Sequence, residues 1–195
     1  MANLAEEMNT EYAIFEEEEK KEYFVVPMGT YPAHAWSLNL KHRGKKVKSR
    51  NVTGKFHVAD IYELEYRLAD EISKMNVPEA KKISGKIIRS NGVFVFKDPN
   101  GEKDCVPNPS GNWQYSNLLK VFGINLEEKD VDDGKGGKKT VKILPRLSED
   151  KIKGKPCMIT VKHREWENNT YANVNRVDKW EQGKDYVGDD INVPF

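Results

Sequence analysis

The chain has 195 residues, 37% hydrophobic and 32% charged, with 32 basic and 31 acidic side chains for a formal net charge of +1. That length suits one domain with extensions better than two full domains, and no apolar run approaches the ~20 residues that would cross a bilayer as a helix. Residues 1–22 lack the basic start and apolar middle of a secretory signal, so a cytoplasmic protein is expected. The two cysteines, Cys105 and Cys157, are too few for a disulfide framework, and neither sits in a C-x-x-C pair near histidines. No metal or other cofactor is expected.

The near-neutral total hides a division along the chain. Residues 1–22 carry 8 acidic and 2 basic side chains, residues 178–195 carry 5 and 2, and the body between them has 28 basic against 18 acidic, a net of +10. A basic body between acidic ends suits a binder of backbone phosphates. Lysines that merely solvate a surface would give a similar count.

After an acidic leader (1–22), Tyr31–Leu40 alternates in the period-two manner of a first strand. Lys41–Lys55 holds seven basic residues around Gly44 and Gly54, which predicts a basic, flexible connection. In Phe56–Leu68, Tyr62, Leu64, Tyr66 and Leu68 fall on one side and Glu63, Glu65 and Arg67 on the other, as in a half-buried strand whose start Asp60 interrupts. Ala69–Ser84 fits either a short helix or an insertion. Lys86–Lys97 reads as a hairpin around Asn91-Gly92, ended by the turn sequence Asp98-Pro99-Asn100-Gly101. Leu118, Leu119 and Phe122 recur at helical spacing within Trp113–Gly123. The charged, glycine-containing stretch near 127–150 reads as a mobile insertion. Pro156–Arg164 and Tyr171–Trp180 are the last strands, joined by a turn at Glu167-Asn168-Asn169. From Glu181 onward the composition predicts a disordered acidic tail (181–195).

Five main strands with one helix between the third and fourth is the layout of a mainly β, five-stranded oligonucleotide-binding (OB) barrel spanning residues 23–180. An α+β sandwich is the competing arrangement.

Aromatic residues interleave with basic ones throughout this body. Trp36, Phe56, Phe94, Phe96, Trp113, Tyr115, Trp166 and Tyr171 lie near Lys45, Lys46, Lys48, Arg50, Lys86, Arg89, Lys162 and Arg164. Single strands call for that combination, since cations track phosphates while aromatic faces stack on unpaired bases. Most aromatics in any domain are core, and Trp166, beside a turn and among charges, is the clearest candidate for exposure. In a barrel, Lys41–Lys55 and the turn Glu165–Thr170 would fall at the two loops that grip oligonucleotides.

The chain ends Gly188-Asp189-Asp190-Ile191-Asn192-Val193-Pro194-Phe195. This resembles the C-terminal tip of bacterial single-stranded-DNA-binding proteins, which finish in aspartates, Ile-Pro-Phe and a free carboxylate, although Asn192-Val193 is inserted here. The resemblance implies that Asp189, Asp190, Ile191, Pro194 and Phe195 bind replication, recombination or repair proteins. Chemically, the Phe195 ring suits an apolar pocket and the carboxylates suit a basic rim. The body, from Gly29-Thr30-Tyr31-Pro32 through Gly154-Lys155-Pro156 to Tyr171-Ala172-Asn173-Val174, is similar in layout to bacteriophage single-strand-binding proteins of the OB type. That similarity implies a viral source, a place in the host cytoplasm and a role in coating DNA. The expectation is therefore a non-enzymatic binder of single-stranded DNA, with homo-oligomers open. The alternatives are a metal-dependent nuclease using carboxylates among Asp60, Glu63, Glu65 and Asp70, and an adaptor that binds only protein.

Overall fold

A computed structural model describes residues 24–48, 54, 56–97, 112–132 and 134–184. The first strand, β1, runs Gly29–Lys48, well past the predicted Leu40. Its early part pairs antiparallel with β7 (Pro156–Trp166), from Gly29 opposite Val161 to His34 opposite Pro156. Its later part pairs antiparallel with β2 (Phe56–Leu68), from Ala33 opposite Leu68 to Lys48 opposite Phe56. The two pairings overlap only at Ala33 and His34, so β1 passes from one neighbour to the other. Alanine suits the crossing, where Ala33 and Ala35 are wholly buried and larger side chains would hold the layers apart.

Register shifts in β1 near Trp36, Lys41 and Arg43-Gly44 bend this strand along its length. Most of the predicted basic loop, Lys41 to Lys48, is therefore the second half of β1. Asp60 does not interrupt β2 either. It is buried within the strand, where its carboxylate accepts the Gly44 N–H at 2.7 Å and meets the Lys97 ammonium at 3.2 Å.

Residues 69–84 form a 3-10 turn over Asp70–Lys74 and a short helix α1, Ala80–Ile83. The two segments expected to make a hairpin, β3 (Ile87–Arg89) and β4 (Val93–Phe96), pair instead with successive parts of β2. Gly92 lies in the break between them. A Cβ there would stand 2.7 Å from the Ile61 Cγ2, so a side chain at that position would push β4 off β2.

The helix predicted at 113–123 is α2, Trp113–Val121. The segment expected to be a mobile insertion instead holds a two-stranded ribbon, β5 (Glu127–Asp132) with β6 (Lys138–Ile143), followed by a short helix α3 (Glu149–Ile152). β7 then turns into β8 (Asn169–Asp178). Past β8, residues expected to be disordered form a turn. The Gly183 N–H bonds the Trp180 carbonyl, and the buried His34 donates from Nε2 to the Lys184 carbonyl at 3.0 Å.

The protein is mainly β, and among the described residues its strands form a six-stranded sheet, ordered β3-β2-β1-β7-β8 with β4 also on β2, beside the separate β5–β6 ribbon. Among the described residues the strands do not close into the expected five-stranded barrel. Among the same described residues the sheet's two ends, β3 and β8, lie side by side and are joined by one parallel bridge, Ser90 to Val174, and α2 packs against β4 and β8. Tyr115, Leu118, Leu119 and Phe122 carry the helix's share of the core, against Leu64, Tyr66, Leu68, Ile159 and Val161 from the sheet.

Tyr66 is fully buried, and its hydroxyl finds no hydrogen-bond partner among the described residues. Burial raises its pKa well above the ordinary 10.0. In the unfolded chain this phenol ionises near 10, whereas in the fold it stays protonated, so stability is lost as pH rises above about 10. Tyr66→Phe removes both the unpaired polar atom and this proton linkage. Urea unfolding of that variant should show stability at pH 7 equal to or above the parent's and a shallower alkaline loss.

Candidate nucleic-acid interface

Beyond Val161 the β7–β8 hairpin leaves the core, and every residue from Lys162 to Tyr171 is exposed. Its register sets Lys162 opposite Asn173, Arg164 opposite Tyr171 and Trp166 opposite Asn169. Directly opposed residues share a face and successive residues alternate, so Lys162, Arg164, Trp166 and Tyr171 line one side of the ribbon. The Arg164 guanidinium lies 5.7 Å from the centre of the Trp166 ring. Trp166 is 57% exposed and Tyr171 47%. The turn places Glu167 and Asn168 at positive φ, 48° and 62°, the left-handed pair of a tight hairpin that follows the strands' twist. That turn holds Trp166 at the last paired position of β7.

The second half of β1 and the first half of β2 form another arm, on which Lys45, Lys46 and Lys48 are all exposed. Phe56, opposite Lys48, is 57% exposed. At the root of this arm, Ala59 lies opposite both Lys45 on β1 and Phe96 on β4, while Ile61 lies opposite Phe94. Lys45, Phe94 and Phe96 thus belong to one outer face. The two phenyl rings stack with centres 5.9 Å apart at 12°, and His57 meets Phe96 edge-on at 5.7 Å.

Asn112 fixes β4 from its free side. Its Oδ1 accepts the Phe96 N–H at 2.6 Å and its Nδ2 donates to the Phe96 carbonyl at 3.0 Å, as a neighbouring strand would. Phe96 belongs with the aromatic residues that the sequence sets near basic ones, whereas His57 was not among the expected residues. The alternation Phe94-Val95-Phe96 was a visible signal for the phenylalanine, but the sequence held none for the histidine, whose place depends on pairing between β2 and β4.

Other predicted residues lie elsewhere. Trp36 is half-buried on β1, with the Arg67 guanidinium 5.9 Å from its ring centre. Lys86 sits 5.0 Å from the ring centre of Phe24. Arg89 is exposed and bonded to Glu65 at 2.8 Å, a hydrogen bond that raises its pKa further. Trp113, 70% exposed, opens α2.

Tyr115 is a correction. It is a core residue, 1% exposed, whose hydroxyl donates to the Pro145 carbonyl and accepts the Leu147 N–H. Its ring stacks on Tyr62 within the protein and offers no face to a base. Arg50 and the tail residues Asp189, Asp190, Ile191, Pro194 and Phe195 fall outside the described residues, as do Cys105 and the acidic leader.

The carboxylates of the nuclease alternative are spread over separate ion pairs. Asp60 meets Lys97, Glu63 meets Lys41, Glu65 meets Arg89, and Asp70 meets Arg67. Among the described residues, no three His, Cys, Asp or Glu side chains come together as metal ligands. No helix among them is long and apolar enough to cross a membrane. No protein-family model matches the chain, and no curated protein matches it.

Asp60 controls how the β1–β2 arm leaves the body, because it ties the bulge at Gly44 to β2. Asp60→Ala should cost about 1–3 kcal/mol of stability. Amide exchange at Gly44 should speed up in that variant, while the amides of β7 and β8 keep their protection.

Proposed function

We propose that this chain binds single-stranded DNA with little sequence preference, and that its C-terminal tail recruits replication, recombination or repair proteins. The observation that carries the reading is the face shared by Lys162, Arg164, Trp166 and Tyr171 on an arm with no core of its own. Aromatic side chains are costly to expose without a use, and here two of them share a face with two cations, Tyr171 directly opposite Arg164 and Trp166 next along β7, the combination that stacks bases and holds phosphates. In a duplex the base faces are already stacked, so the ribbon gains only phosphate contacts there.

The same reading makes the sheet an opened OB fold. Its support is the strand order, the Ser90–Val174 bridge that brings β3 beside β8, and the helix α2 lying between β4 and β7 in the chain. The β1–β2 and β7–β8 arms then correspond to the two gripping loops of such folds. Glu63 and Glu65 lie near the proposed path, and Lys41 and Arg89 offset their charge. A bacteriophage source and a role in genome replication rest on the layout and tail resemblances alone.

Titration of the tryptophan fluorescence with poly(dT) and with duplex DNA, at low and high salt, tests the proposal. Single strands should quench the signal in a salt-sensitive way and duplex should do so much more weakly. Trp166→Ala and Tyr171→Ala should each lose about 1–3 kcal/mol of affinity for the single strand with unchanged thermal stability. Replacing Lys162 and Arg164 by Gln should reduce the salt dependence by about 0.7 per cation in log–log slope. If poly(dT) leaves the fluorescence of the intact protein unchanged, the reading fails and a protein-binding adaptor takes its place.

A further inference from the structure

The β5–β6 ribbon belongs neither to the main sheet nor to the proposed DNA face. Its two strands are charged in opposite senses. β5 carries Glu127, Glu128, Asp130 and Asp132 against one lysine, while β6 carries Lys138, Lys139 and Lys142 with no acid. All of these charged side chains are exposed. The register sets Glu128 opposite Lys142 and Asp132 opposite Lys138, yet among the described residues no ion pair closes across the ribbon.

Among the described residues β5 and β6 pair only with each other, which leaves the outer edge of each strand open. An isolated two-stranded ribbon is marginal in water, and an open edge is a template for pairing. Val131, Val141 and Ile143, each half-buried, add apolar contact on one face.

We propose that this ribbon joins copies of the chain, with the acidic β5 edge of one copy lying along the basic β6 edge of the next. Charge selects this pairing over its alternatives. A symmetric contact through β5 sets acid against acid, and one through β6 sets lysine against lysine. Only the unlike edges complement each other, and such a contact is head-to-tail, leaving one acidic and one basic edge free to add further copies. If the neighbouring ribbon points the opposite way, β5 and the adjoining β6 run parallel and the two bodies stand at opposite ends of strands about 20 Å long, clear of one another. The inference does not depend on DNA binding and can fail or stand apart from it.

A charge-swap experiment on the full chain, read by sedimentation velocity without DNA at low salt, tests it. The intact protein should associate in a concentration-dependent, salt-sensitive way. Glu127→Lys with Glu128→Lys, and separately Lys138→Glu with Lys139→Glu, should each weaken association more than about tenfold, since each sets like charges across the contact. Mixing the two variants should restore association, because the reversed β5 edge of one meets the reversed β6 edge of the other. That recovery also shows that both variants are folded, which circular dichroism checks independently. An intact protein that stays monomeric overturns the proposal, as does association that survives both reversals or a mixture that fails to recover. Loss on reversing the lysines alone also overturns it, because the basic edge then serves another occupant.

Discussion

The rest of the structure depends on how β1 divides its hydrogen bonds. One strand of twenty residues serves β7 over its first part and β2 over its second, with an overlap of two residues. A strand shared in this staggered way cannot stay flat, and the register shifts at Trp36, Lys41 and Gly44 let it bend without losing its pairing. The bend turns the inner faces of β2, β3, β7 and β8 toward one another, and α2 fills the space where the sheet does not close. The same stagger leaves the far ends of β2 and β7 without a common neighbour, so each continues outward as an arm.

The candidate interface is a consequence of those arms. Where β7 and β8 pass the edge of the core, no further layer covers them. Lys162, Arg164, Trp166 and Tyr171 lie on the face opposite the one that buries Val161 and Val174, so aromatic and basic side chains sit together there at no cost in desolvation. The β1–β2 arm differs at its root. There Asp60 is buried, and the Gly44 amide and Lys97 offset that burial by bonding its carboxylate. A polar anchor of this kind fixes the direction of the arm more tightly than apolar packing alone, since it is satisfied in only one arrangement of the bulge.

Phe94 and Phe96 show how one short strand serves two purposes. Val95 points into the core while the two phenyl rings stack on the outer face. β4 pairs with β2 on one edge only, and Asn112 takes the place of a strand on the other. The start of α2 is thereby tied to the strand that carries the stacked rings, so helix packing and the shape of the outer face are coupled.

Local pattern alone was enough to read several elements. The alternation in β2 and β7, the helical spacing of α2 and the turn at Glu167-Asn168 each depend on interactions within a few residues, and a linear sequence records those. The exposure of Trp166 was legible for the same reason, because a turn and a run of charges flank it. Other features needed partners distant in the chain. Lys41–Lys48 looks like a loop because its side chains are solvated on both faces, and only the backbone pairing with β2 makes it a strand. Ile87–Arg89 and Val93–Phe96 look like a hairpin until Gly92 and Ile61 bring both onto β2. The glycines and charges of 127–143 resemble a mobile loop, although the backbone bonds of a ribbon do not require apolar side chains. Tyr115 had the composition of a binding residue, and only the packing of α2 on the sheet, with Pro145 and Leu147 bonding its hydroxyl, placed it in the core. By itself the sequence determined the residue types, the short-range periodicities and the division of charge. The tertiary structure decided which faces those periodicities present, because burial and pairing are set between segments rather than within them.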